Sequence, residues 1–465
     1  MAGGPSRRVF LSSLAVAAAP AATRKRNILL LIADDLGRQL GCYGDSAAIT
    51  PNIDMLASEG VRFTNAFATT ASCSPSRSVM LTGLFNHSNG TYGLAQARHN
   101  FHLLPGVQPL PTLLKSAGYR TGVIGKLHVN AGFAWDLEDQ GDTKQVYDMA
   151  GKARSFIAAG GDKPWYLHVG YGDPHREGSG FGNYKTHRGV TPRKFDPKTI
   201  PVPEFLPAND ATRADLADYY EAVNRLDQGV GQILQVLKET GQLDSTLIVF
   251  LSDNGIPFAN AKTGLYDAGV RLPFIVRAPE QKKRGIVNES LISWVDLVPT
   301  FLEWSGAKGP DYKLPGRSWL PILETGKAAG WDQVLLSHTF HGVPMFYPMR
   351  GLRNERYKYI RNLFPEIQFP HASDLWGSKT WQEVERTKIT RIGQRTLDAY
   401  LHRPPEELYD VLSDPLEVRN LASLQEHQSS LTKFREIVDA WRKESNDPWV
   451  IHDTYNKRVP AANAR

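Results

Sequence analysis

The chain has 465 residues, of which 41% are hydrophobic and 22% are charged, with two cysteines and a formal net charge of +6. This composition indicates a globular protein with a sizeable core; it excludes bulk disorder and a disulfide scaffold, and no apolar run is long enough to span a bilayer as a helix. Because the basic residues are scattered along the chain, the charge argues against nucleic acid as a partner and leaves anionic substrates open.

The N-terminus has the pattern of an export signal. Arg7 and Arg8 precede an apolar stretch over residues 11–19, and small residues at 19–21 offer a cleavage site. The S-R-R-x-F-L pattern resembles a twin-arginine signal, and a general secretory signal is the alternative. We therefore expect residues 1–21 to be a signal peptide and the protein to be exported to the periplasm or the extracellular space.

Continuous apolar runs alternate with helical patterns along the next part of the chain. Strands buried on both faces are predicted at residues 27–33, 121–124, 165–171, 246–251 and 273–276. Helices are predicted at residues 51–58, 110–117 and 210–240, and a proline-rich loop at 196–207. This alternation predicts an α/β fold in which helices cover a largely parallel sheet.

The pattern changes near residue 345. Residues 349–362 mix charged and aromatic side chains in a way that suits antiparallel strands, and residues 431–441 have the pattern of a closing helix. We therefore predict a large domain at 22–345 and a smaller α+β domain at 346–465.

Acidic residues follow two of the predicted buried strands. Asp34 and Asp35 end the first, and Asp253 and Asn254 end the fourth. Ligand sites of open α/β sheets lie beyond the carboxyl ends of the strands, and oxygen donors suit a hard divalent cation such as calcium or magnesium. The alternative is that both pairs are ordinary turns, but their shared position after apolar strands favours a metal site.

The segment Cys73-Ser74-Pro75-Ser76-Arg77, followed by Met80-Leu81-Thr82-Gly83, resembles the signature of the type I sulfatases. Further blocks of that family occur in the same order at residues 33–35, 125–128, 173–175, 252–255 and 407–410. The resemblance implies an alkaline-phosphatase/sulfatase-like fold, with a mixed, mostly parallel sheet in the large domain and an antiparallel sheet in the smaller one. It also implies that a formylglycine-generating enzyme oxidises Cys73 to the aldehyde formylglycine.

A narrower resemblance points to one subgroup of the family, the N-sulfoglucosamine sulfohydrolases or sulfamidases. The blocks that carry it lie at residues 83–87, 89–94, 214–217, 226–231, 252–258, 347–350 and 447–450. It implies hydrolysis of the N-sulfate of terminal N-sulfoglucosamine in heparin- or heparan-type saccharides. It also implies a homodimer.

The family resemblance assigns roles to individual residues. A divalent metal, calcium or alternatively magnesium, is expected on Asp34, Asp35, Cys73, Asp253 and Asn254. The hydrate of formylglycine attacks sulfur, and its second hydroxyl allows the sulfated intermediate to collapse, which a serine would not allow. Asp253 takes the proton of the attacking hydroxyl.

The remaining roles concern the diol, the sulfate, the leaving group and the sugar. Arg77 and His128 are expected on the diol, Lys126 and Lys262 on the sulfate, and His175 as the acid for the leaving atom. Sulfamidases carry arginine where this chain has Lys262, which keeps the charge but weakens the case for N-sulfate. Candidate sugar contacts are His87, Asp173 and His341.

Three other functions fit parts of this pattern. One is an O-sulfatase acting on another sulfated glycan, and one is a phosphonate or phosphate monoesterase on the same scaffold. The third is a non-catalytic protein that binds sulfated glycans, in which Cys73 would stay a thiol.

Overall fold

An eight-stranded mixed sheet forms the centre of the larger part of the chain in this computed structural model, which describes residues 26–96, 98–178 and 180–450. Its strands are β1 Asn27–Ala33, β2 Val61–Phe67, β3 Arg120–Gly125, β4 Leu137–Asp139, β5 Trp165–Gly170, β6 Thr246–Ser252, β7 Arg271–Arg277 and β8 Ile286–Ser293. They lie in the order β4-β3-β5-β1-β6-β7-β2-β8, and β7 alone runs against its neighbours. The predicted signal peptide at 1–21 lies outside the described residues.

Helices cover both faces of this sheet. They are α1 Pro51–Glu59, α2 Cys73–Thr82, α3 Asn86–Asn89, α4 Leu110–Ser116, α5 Val146–Ala158, α6 Asp210–Glu239, α7 Asp267–Val270 and α8 Leu297–Ser305. Side chains of β1 alternate between two apolar clusters, one shared with α1, α5 and α6 and the other with α2, α4 and α8. Because β1 is buried on both faces, it needs the continuous apolar run that the sequence shows.

A second sheet lies in the C-terminal region. Its four antiparallel strands, in the order β14-β11-β10-β9, are β9 Gln333–Phe340, β10 Phe346–Asn354, β11 Tyr357–Asn362 and β14 Glu406–Asp410, and a small hairpin pairs β12 Arg391–Ile392 with β13 Arg395–Thr396. The remaining helices are α9 Ser373–Trp376, α10 Lys379–Thr387, α11 Leu397–Leu401 and α12 Gln428–Glu444.

The predicted fold class is confirmed by these two sheets. All five predicted strands and the three helices predicted before residue 345 are present, with ends that differ by a residue or two. The predicted closing helix at 431–441 is the central part of α12. The antiparallel sheet takes its first strand, β9, from residues before 346, and the division into domains at 345/346 stays a prediction. None of the described helices combines the length and the apolar character that a membrane crossing needs.

Candidate active site

Two adjacent strands bring the predicted acidic residues together. Because β1 and β6 pair in parallel along their whole length, their carboxyl ends lie side by side. The amide of Asp35 donates a hydrogen bond to Asp253 Oδ1 (3.1 Å), and Asn254 Nδ2 donates one to Asp35 Oδ1 (2.7 Å). Asp34, Asp35, Asp253 and Asn254 are all buried, so the two acidic loops form one buried cluster.

The next two strands in the sheet supply basic residues to the same edge. Lys126 and His128 follow β3, and His175 follows β5. Lys126 Nζ donates a hydrogen bond to Asp34 Oδ2, and His175 Nε2 lies 3.9 Å from Asp35 Oδ2. The order β3-β5-β1-β6 therefore explains why segments far apart in the sequence meet at one place.

Cys73 is the first residue of α2, a fully buried helix of ten residues. Its Sγ lies 3.9 Å from Asp35 Oδ1. Arg77 follows one helical turn later; its Nε donates to Asp253 Oδ2 (2.8 Å) and its Nη1 to the carbonyl of Lys126 (2.7 Å). A helix N-terminus favours anions through its free amides and its dipole, so residue 73 lies where an anionic group is stabilised.

Lys262 completes the cluster and connects it to the C-terminal region. Its Nζ lies 2.8 Å from Asp35 Oδ2 and 2.6 Å from Asp374 Oδ2. Asp374 belongs to α9 and did not stand out in the sequence, since it is in no motif and is separated by 112 residues from Lys262. The four carboxylates Asp34, Asp35, Asp253 and Asp374 thus surround three cations, Arg77, Lys126 and Lys262.

Crowding of buried carboxylates changes their protonation. Burial, together with the charge of Asp34, raises the pKa of Asp253 to about 7, and burial raises the pKa of Asp35 to about 6. For Asp34, burial is outweighed by Lys126 and the other neighbouring cations, which hold its pKa well below the usual value. A cation bound among these groups would relieve the repulsion between them.

The residues present fit a hard divalent cation. One ligand atom from each of Asp34, Asp35, Cys73 and Asp253 lies within 4.8 Å of the others. Among the described residues, buried Asp34 Oδ1 and Asn254 Oδ1 have no hydrogen-bond partner. Since a buried polar atom without a partner is costly, two free oxygens beside two further carboxylates suit calcium or magnesium.

Two residues of the site hold uncommon backbone conformations. Asp35 and His128 have positive φ angles of 65° and 59°. Non-glycine residues in this region cost on the order of 1 kcal/mol or more and concentrate at functional sites. The strain is consistent with carboxylate and imidazole groups that are positioned for chemistry.

The two histidines of the site, His128 and His175, are both partly shielded from water. Burial, together with Lys126, lowers the pKa of His128 well below its usual value. Burial also lowers the pKa of His175, although Asp34 opposes the shift. His128 Nδ1 is buried and unbonded within the described part of the chain. Both rings are therefore neutral near pH 7 before an anion binds.

The three candidate sugar contacts lie in different surroundings. His341 is in the site, since its Nδ1 lies 2.9 Å from Ser72 Oγ, next to Cys73. Asp173 is buried in ion pairs with Lys144 and Arg225.

His87 is outside the cluster. Its ring nitrogens are hydrogen-bonded to Ser337 Oγ (2.7 Å) and Ser445 Oγ (2.8 Å), and its ring packs against Trp441. The structure thus joins His341 to the predicted catalytic residues but not His87; contact of either with sugar stays a prediction.

Two family models match the chain. A sulfatase model covers residues 26–307, and a model described as "N-sulphoglucosamine sulphohydrolase, C-terminal" covers residues 260–375. The chain is 40% identical to the human N-sulphoglucosamine sulphohydrolase over 92% of both chains. It is 30% identical to an ulvan-active sulfatase of Formosa agariphila, over 92% of this chain and 82% of that one.

A solved structure has the same fold. It is that of a protein in complex with its substrate D-glucosamine-2-N,6-O-disulfate; it superposes with a TM-score of 0.66 at 22% identity, over 91% of this chain and 99% of that one.

The chain therefore belongs to the sulfatase family, and it is a sulfatase hydrolase. A non-catalytic glycan-binding protein is no longer an alternative.

Proposed function

We propose that this sulfatase hydrolyses the N-sulfate of terminal N-sulfoglucosamine in heparin- or heparan-type saccharides. The observation that carries the proposal is the cluster around Cys73, in which carboxylates, cations and two histidines converge at the N-terminus of one helix. The similarity to the human N-sulphoglucosamine sulphohydrolase over nearly all of both chains supports the choice of substrate.

The cationic side chains hold the sulfate group. Arg77, Lys126 and Lys262 approach residue 73 from a helix, a strand end and a loop, and each is ion-paired to a carboxylate of the site. Because these pairs fix the cations before substrate arrives, little reorganisation is needed when negative charge accumulates on the sulfonyl oxygens. The same contacts orient the sulfur atom toward residue 73.

Cys73 itself needs modification in this proposal. Burial raises the pKa of its thiol well above the usual value, so that the unmodified side chain is a poor nucleophile. Oxidised to formylglycine by a formylglycine-generating enzyme, residue 73 would supply a hydrated aldehyde whose hydroxyl attacks sulfur. Calcium, or magnesium, held by Asp34, Asp35, Asp253, Asn254 and residue 73 would supply positive charge for the sulfonyl oxygens.

The two histidines divide the proton transfers. His128 is neutral and beside Lys126, which suits a base that takes a proton from a hydroxyl of residue 73. His175 lies at the more exposed side of the cluster, with a side chain that is 29% accessible. An anionic sulfamate bound beside it favours its protonated form, which then donates the proton to the leaving nitrogen.

A second candidate function is O-sulfatase activity on another sulfated glycan. Two points favour it. By the family resemblance, sulfamidases carry arginine where this chain has Lys262, and the 30% identical relative from Formosa agariphila is an ulvan-active sulfatase. The higher similarity to the human enzyme makes N-sulfate the better-supported substrate.

The protein's location and assembly are further parts of the proposal. We infer export to the periplasm or the extracellular space by the twin-arginine route, since that route allows Cys73 to be oxidised and the metal site to fold before export. A homodimer and the division into domains at 22–345 and 346–465 are proposed on the family resemblance.

Sulfate release from two monosaccharides tests the substrate assignment. Purified protein is incubated with N-sulfoglucosamine and, separately, with glucosamine 6-O-sulfate, with a Cys73→Ala variant as the control for contaminating activity. We expect the kcat/KM of the wild-type protein to be higher for N-sulfoglucosamine by at least about 100-fold. Turnover of the O-sulfate alone would contradict the proposal and select the second candidate.

A further inference from the structure

Asp374 reaches the active site from outside the part of the chain that the general sulfatase model matches, residues 26–307. It is the second residue of α9, and its side chain is 12% accessible. Its Oδ2 accepts a hydrogen bond from Lys262 Nζ (2.6 Å), and its Oδ1 accepts one from the amide of Leu375 (3.1 Å). The C-terminal region thus contributes one carboxylate to the site.

Asp374 lies close to His175, the proposed acid for the leaving atom. A carboxylate oxygen of Asp374, a ring nitrogen of His175 and a carboxylate oxygen of Asp35 all lie within 4.8 Å of one another. His175 is the proposed acid for the leaving atom, so its ring nitrogen must come within hydrogen-bond distance of that atom. An atom that is hydrogen-bonded to His175 on its Asp374 side would therefore also be within reach of the Asp374 carboxylate.

The packing of the C-terminal region holds Asp374 in place. Directly after α9, Thr380 donates hydrogen bonds through its amide and its Oγ1 (2.8 Å) to the buried carboxylate of Asp215 on α6. Lys379 forms an ion pair with Asp218 on the same helix. Since α6 packs directly under the central sheet, the carboxylate is positioned before a substrate arrives.

The leaving atoms of the two candidate substrates differ in hydrogen bonding. A sulfamate nitrogen carries an N–H that can donate, whereas the bridging oxygen of a sulfate ester carries only lone pairs. A carboxylate accepts a hydrogen bond from the sulfamate N–H but is repelled by the lone pairs of the ester oxygen. When the S–N bond breaks, the nitrogen keeps the bonding electrons and takes a proton from His175, and the resulting amine still donates to the carboxylate.

Resting on the proposed function, we propose that Asp374 is the residue that selects N-sulfate over O-sulfate, by accepting a hydrogen bond from the glucosamine nitrogen. A site built around such a bond discriminates strongly against a ligand that lacks the donor, because the buried acceptor is then left facing lone pairs. Lys262, which bridges Asp374 and Asp35, keeps this carboxylate ionised and oriented.

A purely positioning role for Asp374 predicts a different outcome. If Asp374 only orients Lys262, its loss weakens every ligand that binds the sulfate site to the same extent. If it recognises the nitrogen, its loss affects N-sulfate selectively. The two roles are separated by comparing an N-sulfate, a sulfate ester and inorganic sulfate on the same variants.

The experiment measures kcat/KM for N-sulfoglucosamine and 4-nitrophenyl sulfate, and the inhibition constant of inorganic sulfate, in wild-type protein, Asp374→Ala and Asp374→Asn. Asp218→Asn is the matched control, since it removes another acid–lysine pair of the C-terminal region, the one between α10 and α6, away from the site. We expect Asp374→Ala to lower kcat/KM for N-sulfoglucosamine by at least about 100-fold. We expect kcat/KM for 4-nitrophenyl sulfate not to fall, because the carboxylate that repels its bridging oxygen is gone. The inhibition constant of inorganic sulfate should change by less than about fivefold, and Asp374→Asn should be intermediate.

Parallel loss of all three quantities, or no loss in either variant, would overturn the role of Asp374. Melting temperatures show whether Asp374→Ala folds, and the isosteric Asp374→Asn gives the same comparison if it does not. Failure of the proposed function gives a different result, because the wild-type protein would then hydrolyse only the sulfate ester. In that case the role of Asp374 in selecting N-sulfate is also wrong.

Discussion

Two buried polar clusters of this molecule contain similar side chains but differ in how completely these side chains are hydrogen-bonded. In the C-terminal cluster, formed by His87, Arg350, Arg442 and Asp447, Arg350 binds both oxygens of Asp447 (2.9 Å each) and Arg442 adds a further bond (3.0 Å). Both ring nitrogens of His87 are hydrogen-bonded. In the active-site cluster, by contrast, Asp34, Arg77, His128 and Asn254 each keep a buried polar atom without a hydrogen-bond partner among the described residues.

The difference separates stability from function. Bidentate pairing of buried charges holds β10 and the segment after α12 together, and removing one partner from such a pair is strongly destabilising. Crowded carboxylates with unpaired oxygens lower the free energy of unfolding. They are found at sites where a bound ligand supplies the missing interactions. A motif histidine such as His87 can therefore lie in the first kind of cluster although the sequence block around it resembles the family.

The largest effect is expected at Cys73. Cys73→Ala should lower kcat for N-sulfoglucosamine by at least about 10³-fold, because the nucleophile is lost. The melting temperature should change little, since only the end of one small side chain is removed. Cys42→Ala, at a half-buried thiol outside the site, is the matched control and should keep full activity. Equal activity of the two variants would contradict the assignment of residue 73.

Removal of the proposed metal should affect the active-site cluster alone. Dialysis against a chelator is expected to abolish turnover and to lower the melting temperature, because a ligand that binds only the folded state stabilises it, by about 3 kcal/mol at 100 times its Kd. Re-addition of calcium or magnesium should restore both. Activity that survives chelation, with no metal in elemental analysis, would show that the free oxygens of Asp34 and Asn254 serve another purpose.

The smallest effect concerns pH and the C-terminal cluster. Burial, together with Arg350, lowers the pKa of His87 to about 3, while an unfolded histidine has a pKa of about 6.5. The unfolded state therefore binds the proton first, and His87 makes the free energy of unfolding fall as the pH drops below about 6.5.

This slope is measurable by urea unfolding between pH 7 and pH 4.5. His87→Gln should remove up to about 1.4 kcal/mol of pH dependence per pH unit in this range. The matched control is His402→Gln, at an exposed histidine paired with Asp398. Identical slopes in the wild-type protein and His87→Gln would mean that His87 is protonated in the folded state.

Much of the fold and of the site could be predicted from the sequence, for a physical reason. β1 and β6 are buried on both faces, so their apolar runs are unbroken, and the acidic residues after them stand out. Strand β2 was not predicted because Arg62, Thr64 and Asn65, which occupy its half-buried positions, interrupt the apolar run.

Asp374 shows what sequence patterns do not contain. It lies in no motif, and its position beside Lys262 is set by the packing of α10 against α6 rather than by local spacing. The ion pairs of Asp173 with Lys144 and Arg225 are hidden for the same reason. Long-range pairing of single charged residues depends on the completed fold.

The most direct test of the account is the mass of the peptide that contains residue 73, taken from active purified protein. Conversion of the thiol to an aldehyde lowers the mass relative to cysteine, and the aldehyde also reacts with a hydrazide probe. The account predicts the lighter, probe-reactive peptide, in a fraction that rises with specific activity. Fully active protein whose residue 73 is an intact cysteine would contradict it.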